Sequence, residues 1–373
     1  DFHANQSSGS TLQVTTPSTP PPVVPTSVSG AMGVHSLGAY WGAGFILMTK
    51  KLYYLELVAP TGSLLGSYIS VFFYRFLVEQ KEKAGIKKAF GFYVNPHVVD
   101  AIAKNPEALK LGGEMREMTV MFSDIAGFTS ISEKLTPEEL VHLLNIYLTA
   151  MTDTIMKFDG TVDKYVGDAI MAFWGAPLTQ PMHARQACLT VLENRERLRV
   201  LNEELSKKGM QQISARCGVN TGPMNVGNMG SSQKFNYTVM GDAVNLASRL
   251  EAANKEYGTA LMISETVYAV VKEDVEVREL DLLRVKGKNI PIKVYELVCR
   301  KNELTENQKK GFEIFREGMK LYRGRQFEES ISKFGSVSEF LPHDGPSATY
   351  VRRCGKYIVN PPLDSWDGVF VMA

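Results

Sequence analysis

Between residues 114 and 300, short β-patterned runs alternate with long helical periodicities, which limits the chain to a sheet covered by helices. EMTVMFSD, at 117–124, is apolar on both alternating faces, the pattern of a buried strand. Pro137 to Phe158 carries apolar residues at helical spacing, with Pro in the first turn after Thr136. TVDKYVGDAIMAFW, at 161–174, reads as two strands around a tight Gly-Asp turn. Gln180 to Leu205 reads as a helix. ISARCGVNTG and PMNVGNMG read as a strand pair with glycine turns, and KFNYTVMG as a further strand. A helix from Asp242 to Asn254 begins at a residue suited to N-capping. VEVRELDLLRV and IPIKVYELV close the region as two strands. The order βα-ββ-α-β defines an α+β domain.

The flanks differ in composition. Residues 1–32 are rich in Ser, Thr and Pro, include PSTPPPVVPTS, and are expected to be disordered. No Lys or Arg precedes Lys50, which excludes the basic start of a signal peptide. Residues 33–78 are apolar, and within them 52–78, LYYLELVAPTGSLLGSYISVFFYRFLV, is long enough for a transmembrane helix. Arg75, Lys81, Lys83, Lys87 and Lys88 outweigh Lys50 and Lys51, so everything after the span is expected on the cytoplasmic side of a cell inner membrane. Residues 79–113 read as a helical connector broken at Asn95-Pro96. Residues 301–373 read as a small helical tail, one hairpin of tetratricopeptide type with Gly324 in its turn. The net charge of +1 makes no case for a nucleic-acid partner. Cys188, Cys217, Cys299 and Cys354 lack metal-ligand spacing and are expected as reduced thiols.

Chemistry concentrates at a few positions. Asp124 ends an apolar strand, and Ile125-Ala126-Gly127-Phe128-Thr129 then opens a helix whose free amides and dipole would face an anion. A lone Asp there is ordinarily a turn cap; beside an anion-binding helix start it suits a metal–phosphate substrate. Asp168, at the Gly-Asp turn, supplies a second hard oxygen ligand, a set suited to Mg2+ or Mn2+. Asn245 and Arg249 share one helix face at i, i+4, where Arg249 offers a guanidinium fork to phosphoryl oxygens. The plainer reading of Arg249 is a surface residue paired with Glu251. Lys286, before a glycine turn, is a further phosphate ligand.

FSDIAGFT, KYVGDAIMAFW and YTVMGDAVNLASR, in this order and spacing, resemble the class III nucleotidyl cyclases over roughly residues 114–298. The resemblance implies a ferredoxin-like βαββαβ core with extra strands, and conversion of ATP to cyclic AMP and pyrophosphate. It implies two divalent cations, Mg2+ or Mn2+, on Asp124, Asp168 and the Ile125 carbonyl. It places Gly127, Phe128 and Thr129 against the substrate and Lys286 on its triphosphate. Lys164 and Thr238 match the purine-contacting positions, Asn245 the ribose-orienting asparagine and Arg249 the transition-state arginine. Guanylate cyclases carry Glu at the Lys164 position, so Lys164 favours ATP. Thr238 is found in a subgroup associated with bicarbonate stimulation, which makes bicarbonate regulation a hypothesis here. The family builds each site from two protomers, so a homodimer is implied. FGFYVNPHVV and WDGVFVMA resemble a bacterial membrane-anchored subgroup. The alternatives are a guanylate cyclase and a catalytically inactive nucleotide-binding regulator.

Overall fold

The computed structural model describes residues 38–39, 41–50, 58–90, 112–284 and 290–371. The chain divides into two compact units, residues 1–86 and 87–373. Helix α1 (Val58–Phe90) begins in the first unit. It covers much of the expected transmembrane segment, whose residues 52–57 lie outside the described residues. The expectation of a membrane-spanning helix is not met: among the described residues no helix is long and apolar enough to cross a membrane. At 33 residues its length suffices, but Ser63, Gly66, Ser67 and Ser70 dilute the apolar residues, and Arg75, Glu79 and Lys81 follow.

The second unit is built on a nine-stranded sheet. The elements run β1 (Gly112–Ile125), α2 (Phe128–Ser132), α3 (Pro137–Lys157), β2 (Thr161–Val166), β3 (Ala169–Trp174), α4 (His183–Lys207), β4 (Ala215–Gly230) and β5 (Phe235–Met240). They continue with α5 (Asp242–Tyr257), β6 (Leu261–Ser264), α6 (Glu265–Val271), β7 (Val275–Arg284) and β8 (Ile292–Arg300). The tail adds α7 (Glu306–Arg323), α8 (Phe327–Ser336), α9 (Gly345–Val359) and β9 (Phe370–Val371). Strand order is β2-β3-β1-β4-β6-β8-β7-β9, with β5 also on β4.

The apolar β1 is buried because both its faces are covered. Met121 and Ile125 pack with Tyr147 and Met151 of α3 and Cys188 and Val191 of α4. Met118 and Val120 point the other way, into a cluster with Phe173, Met224, Val239 and Val244. α3 starts at a reciprocal capping box, Thr136 with Glu139, with Pro137 at its first position.

Two local expectations are corrected. ISARCGVNTG and PMNVGNMG are not two strands with turns but one 16-residue strand, β4, paired with β1 along its length. Its glycines allow close approach instead. A Cβ on Gly218 would lie 2.2 Å from the Glu251 amide nitrogen and 2.3 Å from the Ala247 carbonyl oxygen, so only glycine lets α5 lie flat on β4. Asp242 is not the N-cap of α5; Gly241 is, at φ 146°, and Asp242 sits in the first turn.

The tail is more than one hairpin. Phe315, Met319, Tyr322, Phe334 and Tyr350 share a buried cluster with Leu250, Tyr257, Leu280 and Val294, so one core crosses residue 300. β9 adds to the sheet edge parallel to β7. The four cysteines are free thiols.

Candidate active site

Strand register brings the first constellation together. Asp124 lies one residue from the end of β1, opposite Arg216 of β4. Asp168 sits in the β2–β3 turn, after Gly167 at φ 64°, a left-handed conformation glycine adopts without cost. The Asp168 Oδ2 accepts a hydrogen bond from the Ile125 amide at 3.1 Å, and its carboxyl is within hydrogen-bonding reach of Asp124. Burial first, and Asp124 second, push Asp168 up to about 6 from an ordinary 3.8. Arg216 is the nearby cation: its Nη2 lies 3.8 Å from Asp124 Oδ2, and its Nε donates to Glu251 Oε1 at 3.2 Å. Burial also raises Glu251, against the pull of Arg216.

Two crowded carboxylates at a strand end fit a hard divalent cation, whose charge would relieve their repulsion. Among the described residues no group of three or more His, Cys, Asp or Glu is placed to hold a metal ion. The pair therefore leaves coordination positions for backbone oxygen, water and phosphate. A proton and a cation would compete for Asp168. Mn2+ affinity is expected to weaken below about pH 6, by up to about tenfold per pH unit. Calorimetric titration with Mn2+ across that range measures it, and a flat profile would exclude Asp168 as a ligand. The stability sign in the metal-free protein is set by the raised folded value. Protonation favours the fold, so the contribution is complete below 3.8 and lost as pH rises through about 6.

The second constellation joins β2 to β5. Lys164 Nζ lies 3.4 Å from Thr238 Oγ1. Thr238 is buried and donates its hydroxyl proton to Asp163 Oδ2. Asp163 Oδ1 lies 3.2 Å from Lys164 Nζ, although that oxygen receives no well-aligned hydrogen bond, so charge holds this pair. The Asp163 carboxyl is 1% exposed.

The third lies on α5. Asn245 is exposed and Arg249 half-buried, and among the described residues Arg249 makes no ion pair. Glu251, its expected surface partner, is taken by Arg216. At 100° per residue, Glu251 lies about 200° around the helix from Arg249. The face carrying Arg249 is therefore turned away from Glu251. Gly127, at φ 72°, starts the one-turn helix α2 without a side-chain cap; Phe128 and Thr129 are its first residues. Lys286 lies outside the described residues.

Sequence reasoning missed Asp163, Arg216 and Glu251. Pairing β1 with β4 antiparallel would have placed Arg216 opposite Asp124. Asp163 gave no such signal, because neighbours in a regular strand face opposite ways.

The mixed sheet carries paired carboxylates at a strand end and a basic–hydroxyl pair bridging β2 and β5, donors suited to a divalent cation and a nucleotide. Residues 113–299 match the family described as the adenylate and guanylate cyclase catalytic domain, and the chain belongs to that family. It is 38% identical over 212 residues to adenylate cyclase 1 of Rhizobium meliloti (strain 1021), a match covering 56% of this chain and 31% of that protein. The chain thus spans about a third of that relative's length. A bacterial light-regulated adenylyl cyclase structure is 26% identical with a TM-score of 0.52, covering 63% of this chain and 67% of that one. The guanylyl cyclase Cya2 structure is 35% identical with a TM-score of 0.49, covering 52% of this chain and 98% of that one.

Proposed function

We propose that this chain is an adenylate cyclase that forms 3′,5′-cyclic AMP and pyrophosphate from ATP in a homodimer with shared sites. The family includes both purine specificities, so the base must be argued from residues. The observation that carries the reading is the contact of Lys164 on β2 with Thr238 on β5, 3.4 Å apart. An ammonium group has only donors, and adenine presents ring-nitrogen acceptors where guanine carries an N–H.

The reaction is an intramolecular phosphoryl transfer. A bond forms between the ribose 3′-oxygen and the α-phosphorus, the bond to pyrophosphate breaks, and the hydroxyl proton is released. Positioning and charge neutralisation dominate such transfers. Asp124, Asp168 and the Ile125 carbonyl would hold the divalent cations, which supply Lewis-acid activation of the hydroxyl and charge neutralisation on the triphosphate. Lys164 and Thr238 hold the purine. Asn245 orients the ribose, and Arg249 meets charge growing on the α-phosphate. Gly127, Phe128 and Thr129 place the first turn of α2 beside the triphosphate, with Lys286 from the β7–β8 connection. Exposed Tyr165, Val166 and Met240, at the ends of β2 and β5, support burial against a second copy.

Purified protein with Mn2+ should convert ATP to cyclic AMP at least about tenfold more efficiently than GTP to cyclic GMP. Lys164→Glu with Thr238→Cys should move that ratio towards GTP by about a hundredfold or more. A wild-type preference for GTP would reverse the base assignment. No product from either nucleotide, in a folded dimer, would favour an inactive nucleotide-binding regulator.

A further inference from the structure

We infer that Asp163 is a positioning residue that sets purine selectivity, by fixing which way the Thr238 hydroxyl points and where the Lys164 ammonium sits. The inference rests on the reading of Lys164 and Thr238 as the purine-contacting pair and adds a residue behind them.

Backbone geometry makes the arrangement available. β2 and β3 pair in register up to Val162, opposite Ala172, and resume at Lys164, opposite Met171. Asp163 is the extra residue of a β-bulge. In a regular strand Asp163 and Lys164 would face opposite sides of the sheet. A bulge re-aims side chains, and here both reach Thr238 of β5. The hydrogen bond from Thr238 ties the bulge to β5, and the nearby Val239 amide favours the charged carboxylate against the burial that raises its pKa.

Donor and acceptor accounting then decides what faces a ligand. A threonine hydroxyl has one proton and two lone pairs and turns freely unless something holds it. The Thr238 proton is committed to Asp163 Oδ2. One lone pair faces Lys164 Nζ at 3.4 Å. What remains on Thr238 is an acceptor. Lys164 has three protons; one is directed at Thr238, while the approach to Asp163 is held by charge, so the ammonium keeps a proton to donate. The pair therefore presents one acceptor beside one donor. Adenine offers the complement, an exocyclic amino donor beside a ring-nitrogen acceptor. Guanine offers a carbonyl acceptor beside a ring N–H and meets like with like at both points. Without Asp163 the hydroxyl is free to turn and donate to that carbonyl.

The experiment compares kcat/KM for ATP and GTP, with Mn2+, in wild type, Asp163→Ala and Asp163→Asn. Asp163→Ala should lower the ATP-over-GTP ratio about ten- to hundredfold, through a higher KM for ATP and a gain on GTP. Asp163→Asn keeps an acceptor for the Thr238 hydroxyl and should retain an intermediate ratio. If Asp163→Ala does not fold, the intermediate ratio of Asp163→Asn carries the test. Thr238→Val removes the proton that Asp163 receives, so combining it with Asp163→Asn should add little further loss. A purely structural role would depress both nucleotides equally and leave the ratio unmoved; a ratio within about threefold of wild type in the folded variants overturns the inference. A wild type that prefers GTP overturns the purine reading itself, visible before any variant is measured.

Discussion

Asp124→Ala is expected to lower cyclic AMP formation roughly a thousandfold or more, and so is Asn245→Ala, yet a mixture of the two should recover activity. The losses have separate causes. Asp124 shares a strand end with Asp168, and its removal leaves too few oxygens for divalent cations. Asn245 lies about 40° around α5 from Arg249 and about 120° from Glu251, which reaches Asp124 through Arg216. On the proposed roles, the metal carboxylates of one chain would complete a site with the ribose- and phosphate-facing residues of a second. In an equal mixture half the dimers contain one of each variant. Each such dimer holds one site with both defects and one with neither. Recovery to about a quarter of wild-type activity follows from that counting. The assay is cyclic AMP formation after subunit exchange, with dimerisation checked by light scattering. Absent recovery in exchanged dimers would place both residues in one protomer's site.

The sequence made the strands and helices of the second unit legible wherever hydrophobic period was the dominant signal. β1, α3 and the β2–β3 hairpin fall where period, capping and turn residues put them. Glycine misled in β4, because a residue that permits a turn also permits close helix packing, and only the position of α5 distinguishes the two at Gly218. The apolar stretch at 52–78 reads as a span on its length, whereas serine and glycine within α1 lower its hydropathy. Among site residues, the residue pattern points to Asp124 and Asp168 and the family resemblance to Lys164 and Thr238, and the structure brings these together as two contacting pairs. Asp163 was illegible, since a bulge is a property of pairing rather than of local composition. The third tail helix was equally hidden: its buried face is decided by Leu250, Tyr257 and Leu280, far away in sequence.

Arg353→Ala is expected to destabilise the second unit by about 3–5 kcal/mol, as removal of one member of a buried ion pair does. Arg353 lies on α9, 5% exposed, with Nη1 at 2.5 Å from Asp281 Oδ2 and Nη2 donating to Tyr257 Oη at 3.2 Å. Tyr257 in turn donates to Asp281 Oδ2 at 2.6 Å. The guanidinium lies 3.5 Å above the Phe370 ring. Truncation leaves Asp281, 1% exposed, with the Tyr257 hydroxyl and its neighbouring amide but no counter-charge. Urea unfolding measures the loss. Replacing both partners with apolar residues, Arg353→Met with Asp281→Leu, should cost less than Arg353→Ala alone, because no charge is then left buried. A single-variant loss below about 1 kcal/mol would show that water reaches Asp281 and that the tail is loosely held. The site of the lesion also matters for catalysis. Tyr257 is the last residue of α5, the helix that carries Asn245 and Arg249. A tail that grips the end of this helix fixes its tilt, and on the proposed roles of Asn245 and Arg249 phosphoryl transfer would be sensitive to displacements of about an ångström. Arg353→Ala should therefore lower kcat at temperatures where the protein remains folded. If kcat holds while stability falls, the tail supports the fold alone, and the sheet positions α5 without it.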